Sequence, residues 1–199
     1  SNKSIEEIKA MLVKYGAPTY SEVLTKVIMQ NESNEKHTIQ ITQNGNTINF
    51  PMIGDYSAES IAKISNCLSG KPFTKYGIEK KVYTSSEGKT LSNYYVEKYK
   101  TNKAEMDEAH KILLNIKGSK VTAAENTKRL IDYLVSVNIS PLVIYFLFAW
   151  GQFQIRGFHM SKIIKSSTAD LGSKTYINYL TSEEGTWKPF VEFIGNNPT

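Results

Sequence analysis

Leu142 through Trp150 runs without a charged or amide side chain, with Ser140-Pro141 directly before it and Gly151 directly after. A serine hydroxyl that can accept from the first free helix amides, followed by a proline suited to the first turn, marks a helix start. Leu142, Val143, Ile144, Tyr145, Phe146, Leu147, Phe148 and Trp150 then fall on every side of the helical wheel rather than along one stripe. The expectation is a central helix near 141–150 enclosed by protein. A membrane span would need about 20 mostly apolar residues, and stretching this run that far takes in Ser136, Asn138, Ser140, Pro141, Gly151, Gln152 and Gln154. A buried helix and no membrane insertion is therefore the reading. No charged N-terminal region leads into an apolar core and cleavage site, so a cytoplasmic or virion setting is expected.

At 199 residues and 40% hydrophobic content the chain has the material for a sizeable core. The lone Cys67 forbids an internal disulfide, which leaves packing to supply stability. No internal repeat or long linker divides the sequence. The expectation is one domain over 1–199, with a change of pattern near Lys100 separating a mixed α/β lobe, 1–100, from a helical lobe, 101–199.

Ser4 and Glu7 form a capping box ahead of Ile5, Ile8, Leu12 and Tyr15, and Gly16 and Pro18 close that helix. Thr19 with Glu22 repeats the device before Val23, Leu24, Val27 and Ile28, read as the apolar face of a second helix. Near 37–52 two alternating runs flank Asn44-Gly45, the strongest short hairpin signal, with Ile39, Ile41, Ile48 and Phe50 on the buried face. Ser57 caps a helix carrying Ile61, Ile64 and Leu68. Over 80–99 the pattern fits a second hairpin or an ordered loop. Helices resume with Met106, Ala109, Leu113 and Ile116 on one side, and Thr122 with Glu125 makes a capping box before Leu130, Ile131, Leu134 and Val137. Met160, Ile163 and Ile164 suggest a short helix, and Thr186 to Ile194 a last one. The class is α+β, predominantly helical.

Catalytic patterns are not found. His37, His110 and His159 stand apart from other metal ligands at zinc-like spacing. Cys67, between Ile64 and Leu68, reads as a buried structural thiol, and His110, beside Asp107 and Lys111, as a solvated side chain. Glu183-Glu184 suits the start of a helix, where negative charge complements the dipole. Neither a phosphate-cradling P-loop nor a dinucleotide fingerprint occurs. A non-enzymatic protein without cofactor or metal is expected.

Charge is unevenly spread. Residues 71 to 130 hold 13 Lys or Arg against 7 Asp or Glu, while the rest holds 11 against 12, so the net +5 belongs to the middle of the chain. There Lys75, Lys80, Lys81, Lys89, Lys98, Lys100 and Lys103 alternate with Tyr76, Tyr83, Tyr94, Tyr95 and Tyr99. Lysines neutralise phosphates, and tyrosine rings offer unpaired bases a stacking surface worth about 1–3 kcal/mol each. Lys117, Lys120, Lys128 and Arg129 extend the bias into the following helices, and Arg156 follows the central apolar run. The same spacing also describes a solvated surface with good strand-forming tyrosines. With arginine confined to Arg129 and Arg156, bidentate reading of guanine edges is not expected.

In size, charge and class this compact, basic, mainly helical chain resembles the small nucleocapsid and coat proteins of RNA viruses. The resemblance extends to no particular position and carries no site across. It implies a sequence-tolerant binder of single-stranded RNA or DNA that self-associates along the strand, with the N-terminal helix pair and the segment from Thr186 as exchanged arms. Two other readings stand beside it: an interaction or adaptor module with an acidic partner, and an enzyme with a pocket near Trp150, Phe153 and His159.

Overall fold

The computed structural model describes residues 2–54, 56–72, 86–160 and 173–196. The chain opens with α1 (Ile5–Tyr15), where the Ser4 hydroxyl accepts from the Glu7 amide and the Glu7 carboxylate accepts from the Ser4 amide, the capping box read from sequence. Gly16, at φ +100°, closes the helix in a left-handed turn that a side chain would strain.

The second helix, α2 (Glu22–Ser33), is capped by Ser21 rather than Thr19, its hydroxyl accepting from Leu24 at 3.1 Å. Its buried side is Thr25, Met29 and Ser33. Of the expected apolar face only Ile28 packs against the core, while Val23 is 61%, Leu24 41% and Val27 43% exposed. Polar contacts fix this rotation. The Ser33 hydroxyl meets the Gln152 carbonyl at 2.7 Å, and Lys26 reaches Glu35 at 3.0 Å, whose side chain is 1% exposed. A buried carboxylate must keep its cation, so α2 turns that cation inward at the expense of three aliphatic side chains.

Two left-handed residues, Asn34 and Glu35, lead into the hairpin of β1 (Thr38–Gln43) and β2 (Asn46–Pro51). Ile39 faces Phe50 and Ile41 faces Ile48, around Asn44 at φ 52° and Gly45 at φ 79°. This is the predicted hairpin, with Ile41 and Phe50 buried and Ile39 and Ile48 half-buried. The short β3 (Ile53–Gly54) and α3 (Ala58–Leu68) follow, the latter capped by Ser57 as read.

No second hairpin forms over the described part of 80–99. That stretch is the helix α4 (Ser86–Thr101), and 80–85 lies outside the described residues. Gly88, Leu91, Ser92 and Tyr95 are buried, a helical spacing that the β-forming tyrosines disguise. A short turn joins it to α5 (Lys103–Leu113), which buries Met106, Ala109 and Leu113 as expected. Next, α6 (Lys120–Ser136) is capped by Ser119, not Thr122, and packs Leu130, Ile131 and Leu134 inward.

The central apolar run is wholly buried but is helical only as α7 (Leu142–Leu147). Phe148 leaves the helix at ψ 160°, and β4 (Ala149–Trp150) pairs antiparallel with β3 on one side and β5 (Ile155–Arg156) on the other. Large apolar residues suit a buried helix and a buried strand alike. Gly151, at φ +78°, lets the chain reverse so that Trp150 can pair with Ile155. A 3₁₀ turn, Gly157–His159, then presses against α7. A Cβ on Gly157 would stand 1.7 Å from the Tyr145 carbonyl oxygen.

The start of α7 is tied to α4. The Tyr95 hydroxyl donates to the Ser140 carbonyl and accepts from the Val143 amide at 3.2 Å, while the Tyr94 oxygen accepts from the Ser140 amide at 2.9 Å. The Ser140 hydroxyl takes the Leu142 amide at 3.2 Å, as the sequence implied. These bonds satisfy helix-start groups that have no partner within the helix.

The described chain ends with α8 (Ser173–Leu180) and α9 (Glu183–Asn196). At the first turn of α9, Glu183 accepts from Lys14 at 2.6 Å and Tyr15 at 2.7 Å, so α1 and α9 are clamped within one chain. The short helix expected around Ile163 and Ile164 lies outside the described residues. One buried cluster extends from Ile8 to Phe190 and includes all of α7. Among the described residues no helix is long and apolar enough to cross a membrane.

Candidate nucleic-acid interface

Lys75, Tyr76, Lys80, Lys81 and Tyr83 fall outside the described residues. The remaining candidates occupy three places. At the α4–α5 corner, the Lys98 ammonium lies 5.6 Å from the Tyr94 ring centroid and that of Lys103 5.7 Å from the Tyr99 centroid, both cation–π contacts. Tyr94 and Tyr99 are five positions apart, about 140° around the helix at 3.6 residues per turn, so the two rings diverge. Tyr94 faces Ser140, whereas Tyr99 packs on Gly70 and donates to Asp107 at 3.3 Å.

Tyrosine here is more clamp than platform. Tyr95 is completely buried, and burial pushes its phenol well above the ordinary range; Tyr94 is half-buried and raised for the same reason. Several lysines also have carboxylates beside them. Lys100 pairs with Glu97 at 2.9 Å and Lys103 with Asp107 at 2.7 Å, a contact that raises the amine and lowers the carboxyl.

Four further lysines of the basic stretch have no ion pair among the described residues. Lys89 and Lys98 project from α4, and Lys117 and Lys120 from the α5–α6 turn and the start of α6. Lys98 precedes α5 and Lys117 and Lys120 follow it, and the 11 residues of α5 give about 15 Å between its ends at 1.5 Å per residue; Lys89 stands near the start of α4. The sequence pointed to Lys89 and Lys98 for this role, and noted Lys117 and Lys120 only as part of the general bias.

The second place is the hairpin side of α6. Lys128 is held by Asp132 at 2.6 Å and reaches Gln43 at 3.4 Å, with its side chain only 15% exposed. Arg129 donates to Asn126 at 2.9 Å.

The third place is a cleft of about 370 Å³ between α2, β5, the 3₁₀ turn and α9. Tyr20, Phe158, Phe190 and Phe193 supply aromatic wall, and Glu32, Arg156 and His159 supply polar lining. Arg156 sits 6.0 Å from the Phe158 centroid, and His159 lies 4.3 Å from the Phe158 ring and 5.0 Å from the Phe193 ring. Phe153, also in the wall, stacks on Phe190 at 3.9 Å. Sequence reading found Phe153, Arg156 and His159 but missed Tyr20, Glu32 and Phe193, which approach only through folding. Trp150 lies beneath, 1% exposed.

The other histidines and the thiol do structural work. His110 is not simply solvated, since its Nε2 bonds the Ser65 hydroxyl on α3; His37 joins β1 to the Thr181 carbonyl and the Thr186 hydroxyl. Cys67 is fully buried and its thiol pushed far up by burial, as fits an inert core group. Among the described residues no cluster of three His, Cys, Asp or Glu side chains could hold a metal. Comparison of the chain with protein-family models, curated proteins and solved structures finds no match.

Proposed function

We propose that the protein binds single-stranded nucleic acid without base-specific readout, as a subunit that associates with further copies along the strand in the manner of a nucleocapsid or coat protein. The observation that carries the reading is the set Lys89, Lys98, Lys117 and Lys120, without ion pairs among the described residues, Lys98 half-buried and the other three exposed, on the stretch that holds the whole charge surplus. Amines at both ends of α5 suit a flexible backbone better than a compact ligand, since single-strand sites cover about 4–16 nucleotides. The buried and self-paired tyrosines make phosphate contact, rather than ring stacking at α4, the main source of affinity.

Freshly purified protein should carry nucleic acid, seen as a raised 260/280 nm absorbance ratio that falls after nuclease and high salt. A fluorescent oligonucleotide should then bind in preference to polyglutamate of matched charge. Equal binding of both polyanions would favour the acidic-partner module, and binding of neither would refute the proposal.

A further inference from the structure

We infer that the bound strand continues from the α5–α6 turn into a groove between the end of α2, β1 and the start of α6, where Lys36 takes a phosphate and side-chain amides select ribose over deoxyribose. The inference rests on the nucleic-acid reading and adds to it a preference for RNA.

One wall is the turn from α2 into β1, made by the left-handed pair Asn34 and Glu35. The Glu35 amide donates to the Met29 carbonyl at 3.0 Å, the Lys36 amide to the Ser33 carbonyl at 3.0 Å, and the Gln152 side chain to the Glu35 carbonyl at 2.8 Å, so the turn is fixed to the core. Glu35 points inward to Lys26, which leaves Lys36 exposed on the rim. The other wall is α6, which lies along β1 because Gln43 bonds Asp132 at 2.6 Å and Lys128 at 3.4 Å. Stepping back from Lys128 to Lys120 covers about 12 Å of helix, and from Gln43 to Gln40 about 10 Å of strand. Lys120 therefore reaches the level of Gln40, and the two line one space of about 790 Å³. Ligand pockets run from about 300 to 1,000 Å³. Since Lys120 belongs to the amines already assigned to the strand, the groove opens where they end.

Lys36 and Lys120 have no ion pair among the described residues, and Glu32, also on the rim, pairs with neither. Two amines against one carboxylate leave the groove attractive to phosphate. A lysine serves as a point charge on a flexible stem and need not be held in one direction to do so. Met52 and the half-buried Ile39 make an apolar floor, and among the described residues no aromatic ring lines the groove. With nothing there to stack a base, the groove meets the sugar and phosphate of the strand instead.

Ribose differs from deoxyribose by a hydroxyl that both donates and accepts, the group by which a protein tells RNA from DNA. Gln30, Asn31 and Gln40 bring carboxamides to the groove, which likewise donate and accept. All three are exposed, and their side chains make no hydrogen bond among the described residues. A 2′-hydroxyl carried between Lys120 and Lys36 thus passes groups able to bond it, whereas a deoxyribose offers them nothing.

The test is fluorescence anisotropy with oligouridylate and oligodeoxyuridylate of about a dozen nucleotides, within the usual site size, which differ only at the 2′ position. Oligouridylate should bind about two- to tenfold more tightly, the range of one net hydrogen bond. Gln30→Ala, Asn31→Ala and Gln40→Ala combined should abolish the difference by weakening only the ribose complex. Lys36→Gln should make the slope of log K against log salt shallower by about 0.7 for both oligonucleotides, the share of one phosphate. The four positions are exposed, and a thermal melt checks that the fold survives. Equal affinities in the unaltered protein, a preference that survives the triple variant, or an unchanged slope in Lys36→Gln would overturn the groove assignment and leave the other lysine contacts standing. Failure of both oligonucleotides to bind at low salt would overturn this inference together with the proposed function.

Discussion

Replacing Tyr95 with phenylalanine removes one oxygen from the place where α4 holds the start of α7. That oxygen donates to the Ser140 carbonyl and accepts from the Val143 amide, and Tyr95, Ser140 and Val143 are each 0% exposed. Water cannot replace the lost contacts without opening the core. A buried polar group left unsatisfied costs about 1–3 kcal/mol, so two of them give a loss of about 3 kcal/mol after partial relaxation. For a chain of this length each kcal/mol moves Tm by about 2–4 °C, and the variant should melt about 6–12 °C lower. Tyr94→Phe is the internal comparison: its oxygen accepts one bond at a half-buried site, and it should cost only about 1 kcal/mol. Urea unfolding of both variants gives the numbers. A Tyr95→Phe protein within about 0.5 kcal/mol of the parent, well inside the scatter of ordinary surface substitutions, would refute the view that these tyrosines serve the fold.

Other consequences can be measured on the same protein. Lys26→Met leaves the Glu35 carboxylate buried without its cation and should destabilise by about 3 kcal/mol, with Lys26→Met/Glu35→Gln recovering part of it; no recovery would show that the pair is not coupled. Burial raises the Cys67 thiol above its ordinary 9.0, so its contribution is complete below that pH and is lost as pH rises above it, at up to about 1.4 kcal/mol per pH unit. Stability should therefore fall from about pH 9 in the parent but only from the tyrosine range upward in Cys67→Ala, and a thiol reagent should react only as fast as the protein opens. Hydrogen bonds from Lys14, then Tyr15, hold the Glu183 carboxyl below 4.5. The clamp is present above that value and lost as pH falls through the lower folded pKa. Amide exchange in α1 should accelerate in that acid window, and Glu183→Gln should remove the pH dependence. Gly157→Ala puts a methyl group on the Tyr145 carbonyl and should cost about 3 kcal/mol or prevent folding; a neutral effect would mean that the 3₁₀ turn is not pressed against α7.

What could be read from the sequence was what local chemistry decides. The Ser4–Glu7 capping box, the Asn44-Gly45 turn and the spacing of Met106, Ala109 and Leu113 need no distant partner to be specified, and all three appear as expected. The misreadings are places where a distant partner wins. Val23, Leu24 and Val27 look like a core face, yet Lys26 and Ser33 rotate α2 the other way because Glu35 and Gln152 wait there. The tyrosines of α4 suggest a strand, but Ser140 and Val143 use two of them as hydrogen-bonding caps. Likewise the apolar run from Leu142 gives no internal sign that it must stop being helical at Phe148 and pair with β3 and β5. The candidate interface was half legible for the same reason. Charge surplus is a property of composition, whereas the pairing of Lys100, Lys103 and Lys128 with acids, and the meeting of Glu32 with Phe158 and Phe193, exist only after folding.

The most direct test of nucleic-acid binding through these lysines is the salt dependence of oligonucleotide affinity, measured for the parent and for a variant carrying Lys89→Gln, Lys98→Gln, Lys117→Gln and Lys120→Gln. Each phosphate neutralised on a single strand contributes about 0.7 to the slope of log K against log salt. The variant's slope should therefore be shallower by roughly 2–3, with an unchanged melting curve. Identical slopes for the two proteins would contradict the account.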